Sequence, residues 1–123
     1  MRTIALAPFA LAGALLFATG STAEDVDTGK YLLEACRKAA EIRSPERWNR
    51  DFCVGYVSGY VDGHARGTAV SGSPAFCLPA DATTGKIVTA VVRSLEAHPE
   101  TLALPRAEAL AAALADRYPC PAH

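Results

Sequence analysis

This 123-residue sequence contains four cysteines, Cys36, Cys53, Cys77 and Cys120, whose side chains could take part in several kinds of chemistry. Their thiols could bind a metal, perform redox catalysis or form disulfides. No pair has the Cys-x-x-Cys spacing, which argues against a metal site and against thiol catalysis. An even number of cysteines in a small exported domain is typical of a disulfide framework. We therefore predict two structural disulfides, no metal and no cofactor.

A nucleophilic Ser-His-Asp arrangement could be assembled from Ser58 or Ser94, His64 or His98, and any of several acidic residues. No Gly-x-Ser-x-Gly motif supports it, and such combinations arise by chance in chains of this size. His64 is more simply a packed histidine of a predicted helix, and His98, which precedes Pro99, a helix-terminal cap. The sequence thus predicts a protein that is not an enzyme and has no catalytic residues.

The first 23 residues resemble a secretory signal peptide. Arg2 supplies the positive charge, an apolar run follows over residues 4–18, and Ser21-Thr22-Ala23 offers small residues before a cleavage point. The run is short of the roughly 20 apolar residues that span a membrane, and a retained N-terminal anchor is the alternative. We predict cleavage after Ala23 and a periplasmic mature domain over residues 24–123, with no membrane contact after cleavage.

The charge balance excludes two classes of partner. The chain has 12 basic and 13 acidic residues, and loss of Arg2 with the signal peptide leaves the mature domain a net charge near −2. A mildly acidic domain of this kind offers no basic surface for nucleic acid and no polybasic segment for a membrane. Its length suits one small domain with one core.

Hydrophobic periodicity predicts an all-α fold, a small four-helix domain of orthogonal or bundle-like type. The third helix contains a β-branched run, so a strand is the alternative there. The last helix is expected to bury Ala107, Leu110, Ala111, Leu114 and Tyr118. The predicted helices cover about 28–41, a segment beginning at Ser44-Pro45 and ending near Gly67, about 84–97, and about 105–117, with a loop over 68–81.

Spacing alone leaves all three disulfide pairings open. The predicted helices favour one of them, because Cys36 and Cys53 both point inward on adjacent antiparallel helices with a short connection. Cys36–Cys53 is then the natural pair, and Cys77–Cys120 follows by elimination, connecting the loop to the C-terminus.

Four glycines, Gly55, Gly59, Gly63 and Gly67, recur every fourth residue along the second predicted helix. This spacing drifts only about 40° per step, so the glycines form one continuous line, which we call the glycine stripe. Each costs roughly 1 kcal/mol relative to Ala inside a helix. Close approach of another backbone is the usual compensation, either within the domain or at the seam of a homodimer. Flanking the stripe, Tyr56, Asp62 and Arg66 are candidates for an interface rim.

The predicted loop over 68–81 is the candidate partner-binding segment. Loops on a rigid scaffold commonly carry recognition, and Cys77 anchors this one covalently. Its small tip, Val70-Ser71-Gly72-Ser73, could enter a cleft. The alternative is a connector without a function of its own.

Several spaced residues resemble a known family. Cys36, the motif Cys53-x-Gly55-Tyr56-Val57-x-Gly59 and Asp62 are similar to those of the Rap/Tai family, immunity proteins against type VI secretion peptidoglycan amidases. The later segments Phe76-Cys77-x-Pro79, His98-Pro99 and Tyr118-Pro119-Cys120 agree with it. The resemblance implies a periplasmic, disulfide-bonded, often dimeric helical protein that occludes the cleft of a toxin. A periplasmic stress chaperone or a structural envelope protein is the alternative.

Overall fold

Four α-helices make up the domain in the computed structural model, which describes residues 25–40 and 47–122. A short 3₁₀ helix, Pro99–Ala103, connects the last two, and the described residues contain no strand, only an isolated bridge between Thr28 and Pro105. The all-α prediction is confirmed, whereas the predicted signal peptide, residues 1–23, lies outside the described residues. The helices are α1 (Gly29–Ala40), α2 (Arg47–Ser71), α3 (Thr84–Ala97) and α4 (Arg106–Arg117).

The core lies where α1 packs against the other three helices. Its largest fully buried apolar side chains come one or two from each helix, and they recur at the three- and four-residue spacing that lines one helix face. The core side chains buried most completely are Leu32, Val57, Val91, Leu95, Leu110 and Leu114.

Among the glycines that the structure describes, Gly29 is the one where another part of the chain approaches closely. A Cβ atom at Gly29 would lie 2.7 Å from the carbonyl oxygen of Thr101 and 2.7 Å from Cβ of Ala109. The Gly29 amide donates to the carbonyl of Leu104 at 2.9 Å, and the Arg106 amide donates to that of Asp27 at 2.8 Å. The segment before α1 is therefore fixed against the start of α4.

The third segment is a helix, which excludes the strand alternative. Thr83 caps α3, its side chain accepting a hydrogen bond from the amide of Lys86, and His98 is the C-cap before Pro99, as predicted. Ile87, Val88, Val91 and Leu95 are buried. Their spacing follows the helical period, which outweighs the β-branched composition.

Both predicted disulfides are confirmed. Cys36–Cys53 joins α1 to α2 in the core, and Cys77–Cys120 joins the segment after α2 to the C-terminus. The Cys77 amide also donates to the carbonyl of Tyr118 at 2.8 Å. The C-terminal end of the domain is thus held both covalently and by the backbone.

Two predicted details are wrong. The second helix does not end near Gly67 but continues to Ser71, because the residue that adopts the left-handed conformation and ends it is Gly72, with φ +74°. On α4 the buried alanines are Ala109 and Ala113, while Ala107 is exposed.

Candidate partner-binding surface

The glycine stripe lies on the exposed side of α2. A Cβ atom added at Gly55, Gly59, Gly63 or Gly67 would meet no atom of the described residues within 4 Å. Close packing of the stripe against the described part of the domain, one of the two expectations, is therefore wrong, and the buried residues of α2 are Cys53 and Val57. The stripe is an open surface where another chain could approach the backbone.

Large apolar side chains lie exposed toward both ends of the same helix. Trp48, in its first turn, is 73% exposed, and Val70, in its last turn, is 91% exposed. Single exposed apolar side chains are common on protein surfaces and do not mark an interface by themselves. Aromatic residues such as Trp48 are, however, enriched at protein interfaces.

Of the predicted rim residues, Tyr56 is anchored from the domain side. Its ring stacks on Phe52 with centroids 5.7 Å apart, and the Arg106 guanidinium lies 4.5 Å from its centroid. Arg106 also donates from Nη1 to the carbonyl of Val26 at 2.7 Å. Tyr56 is consequently half-buried and rigid, and it connects α2 to α4.

Asp62 and Arg66, the other two predicted rim residues, are both exposed on α2. The i,i+4 ion pair that their spacing allows is not formed, and neither side chain has a partner among the described residues. One free charge of each sign therefore lies beside the glycine stripe.

The predicted loop tip needs a correction. Val70 and Ser71 belong to the last turn of α2, so the exposed turn after the helix consists of Gly72, Ser73 and Pro74. The Gly72 amide donates to the carbonyl of Thr68 at 2.8 Å, and the Ser73 amide donates to Oγ of Ser71 at 3.3 Å. We call residues 70–74 the α2 terminal turn.

His64 holds the far side of this turn, a role that the sequence did not reveal. Its Nε2 accepts a hydrogen bond from the amide of Ala75 at 3.0 Å, and its ring stacks on the buried Phe76 with centroids 3.8 Å apart. With the Cys77–Cys120 disulfide following directly, three consecutive residues fix the segment that leaves the turn. Ring stacking between residues 12 apart has no local sequence signature.

The structure brings Ser94, His98 and Asp116 together, but their hydrogen bonds differ from those of a catalytic triad. Oγ of Ser94 donates to the Asp116 carboxylate at 2.8 Å, and Nε2 of His98 lies 3.7 Å from the same carboxylate oxygen. The serine proton is thus held by the acid rather than by the imidazole, which is the base that a Ser-His-Asp nucleophile needs. Ser94 fills a buried polar position of α3, and this cluster connects α3 to α4.

Other chemistry finds no support among the described residues. They contain no group of three or more histidine, cysteine or acidic side chains placed to hold a metal ion. All four cysteines are disulfide-bonded. Within the same residues, no helix has both the length and the apolar character needed to cross a bilayer.

Comparison with protein families gives one match. The model that describes the Rap1a immunity proteins matches residues 28–120. The chain belongs to the Rap1a immunity protein family. No curated protein and no solved structure matched the sequence.

The extent of the family match agrees with the architecture. It begins at Thr28, which bridges to Pro105, and ends at Cys120, which closes the second disulfide. Membership of the Rap1a family makes this chain an immunity-type protein whose partner is a secreted effector protein. Such a role needs a binding surface rather than a catalytic centre.

Proposed function

We propose that this chain is a periplasmic immunity protein that binds a peptidoglycan amidase delivered by type VI secretion and blocks its substrate cleft. The observation that carries the proposal is the family match over residues 28–120. This region includes both disulfides, the glycine stripe and the α2 terminal turn. A protein that neutralises an amidase by occlusion performs no chemistry itself.

The α2 terminal turn is the proposed contact with the amidase. Val70 projects from its start almost fully exposed, and Gly72 and Ser73 are small enough to enter a cleft. The turn is already ordered by Ala75, Phe76 and Cys77. Ordering before binding lowers the entropy that association costs, which suits a tight inhibitor.

Two features support the periplasm as the site of action. Disulfides form and persist in oxidising compartments, of which the bacterial periplasm is one. The domain has two of them, and one is completely buried. The predicted signal peptide would provide the export.

The glycine stripe is the proposed seam of a homodimer. Stripes of small residues let two helices approach closely, and α2, with 25 residues, is about 37 Å long. In an antiparallel crossing centred near Gly63, the free carboxylate of Asp62 faces the free guanidinium of Arg66 of the second copy. A two-fold interface requires such self-complementarity.

The proposal is tested by titrating the purified, oxidised protein into a peptidoglycan digestion by the amidase encoded beside it. Equimolar loss of activity supports the immunity role. Undiminished digestion in the presence of excess folded protein contradicts it. Broad binding of unfolded envelope proteins without inhibition would favour a chaperone instead.

A further inference from the structure

A shallow groove of about 500 Å³ lies on the domain along α3 and the end of α4. Gly85, Lys86, Thr89 and Arg93 of α3 line it together with Arg117 of α4. A Cβ atom at Gly85 would meet no atom of the described residues within 4 Å, so the helix surface there is open to an approaching backbone. None of these residues belongs to the glycine stripe or to the α2 terminal turn.

The groove holds two uncommitted positive charges. Lys86 is paired, because its Nζ lies 2.7 Å from the Asp81 carboxylate. Arg93 and Arg117 are exposed, and neither makes a hydrogen bond or an ion pair with a described residue. Their guanidinium groups are therefore available to a ligand.

Nearby carboxylates do not neutralise these two arginines. Glu96 pairs with Arg37 at 2.7 Å, and Asp116, which accepts from the neutral hydroxyl of Ser94 at 2.8 Å, forms no ion pair with Arg117. The groove thus carries a net positive charge on a chain whose formal charge is −1. The first turn of α3 adds the partial positive charge of a helix N-terminus.

We infer that this groove binds an acidic segment of a protein partner, with Arg93 and Arg117 each holding a carboxylate. A guanidinium matches a carboxylate with two parallel hydrogen bonds, which a lysine cannot provide. The bare helix surface at Gly85 leaves room for the backbone of an extended segment. This inference concerns a surface separate from α2, and it holds whether or not the partner is an amidase.

A membrane surface fits the groove less well than a protein does. Recognition of anionic lipids typically takes clusters of about four to eight basic residues, whereas this groove has three, one of which is already paired. Its lining also contains no large apolar side chain that could enter a bilayer. A protein carboxylate therefore agrees best with the number and type of charges.

The test uses the oxidised, ¹⁵N-labelled protein titrated with a capped hexaglutamate peptide and followed by NMR. We expect saturable shifts of the amides of Gly85, Thr89, Arg93 and Arg117 that weaken as salt is added. The double variant Arg93→Gln/Arg117→Gln should bind at least about tenfold more weakly, because two charge-assisted contacts are lost. The double variant Arg47→Gln/Arg50→Gln makes the same charge change on α2 and should bind normally.

Three results would overturn the inference: no saturable shifts with hexaglutamate, equal binding by the groove variant, or equal shifts with a capped hexaglutamine peptide. Inorganic phosphate and phosphatidylglycerol vesicles are titrated in parallel. If either of these shifts the same amides while hexaglutamate does not, the groove recognises phosphate rather than carboxylates, and the inference is wrong. Matching circular dichroism spectra of both double variants would establish that they are folded.

Discussion

The ring of His64 stacks on that of Phe76 at 3.8 Å between centroids, with 21° between the two planes. Because Nε2 of His64 also accepts the amide proton of Ala75, one side chain of α2 holds two consecutive residues of the segment that follows. The exposed turn over residues 70–74 is consequently fixed at its far end. This contact gives the proposed amidase-binding turn its shape.

Replacing His64 separates its two contributions. His64→Phe keeps an aromatic ring but removes the hydrogen-bond acceptor. The Ala75 amide should then exchange with solvent about fivefold faster, because a hydrogen bond with a net contribution of about 1 kcal/mol is lost. His64→Ala removes both contacts and should also lower the free energy of unfolding by about 1–3 kcal/mol. Hydrogen exchange and urea denaturation measure these effects. The Cys77 amide, which donates to Tyr118, is the internal control and should be unaffected in His64→Phe. Unchanged exchange at Ala75 would contradict this role of His64.

Two glycine-to-alanine substitutions should have opposite effects on stability. At Gly29 a Cβ atom would lie 2.7 Å from a backbone oxygen of Thr101, so Gly29→Ala should destabilise the fold by about 1–3 kcal/mol. At Gly59 a Cβ atom meets no atom of the described residues within 4 Å, so Gly59→Ala should stabilise the monomer by up to about 1 kcal/mol. Urea denaturation at low protein concentration measures both. Destabilisation by Gly59→Ala under these conditions would show that the stripe is packed within the domain.

The proposed homodimer seam predicts a charge-swap result. Asp62→Arg and Arg66→Asp should each weaken self-association, because either change brings like charges together across the two-fold axis. The double variant Asp62→Arg/Arg66→Asp restores opposite charges and should recover the dimer. Analytical ultracentrifugation measures the association constants. Monomeric behaviour of the parent protein, or equal association by all four proteins, would contradict the seam.

Stability at alkaline pH should depend on Tyr60. Burial, with the neighbouring Tyr56 as a second cause, raises the pKa of the Tyr60 phenol above its ordinary value of 10.0. The folded state therefore favours the neutral phenol, and this preference contributes to the free energy of unfolding. The contribution is complete below a pH of about 10 and is lost as the pH rises further. Tyr60→Phe cannot ionise, and its free energy of unfolding should fall less steeply above that pH. Parallel decline of variant and parent would contradict this prediction.

Much of the fold could be predicted because its determinants are local. Val88, Val91 and Leu95 fall on one helical face whatever their β-propensity, and α3 is a helix. Cys36 and Cys53 point inward on helices with a short connection, which was enough to predict their pairing. Such patterns are determined by residues within a few turns of one another.

The remaining features depend on contacts between distant residues. Several glycines of α2 could have ended the helix, and only Gly72 has the positive φ that does so. Every alanine has the same hydropathy, so the alanines of α4 do not by themselves indicate which of its faces is buried. Gly29 needs close packing only because Thr101 and Ala109 lie against it.

The candidate surface was only partly predictable for the same reason. A glycine has no side chain whose polarity would reveal whether it faces the core or the solvent, so the stripe could be located but not oriented. His64 gave no indication that it would contact Ala75 and Phe76, since this contact forms only after the chain reverses at Gly72. Arg93 and Arg117 are distant in sequence, and only the packing of α3 against α4 places them in one groove.

The most direct test of the central claim is a titration of peptidoglycan amidase activity with the mature, oxidised protein. We would assay each amidase encoded beside this chain on purified peptidoglycan and follow the released muropeptides. If the chain is the immunity protein of one of these amidases, digestion by that amidase should fall in proportion to added protein and stop at one equivalent. Full digestion by every such amidase, in the presence of excess protein shown to be folded, would contradict this role.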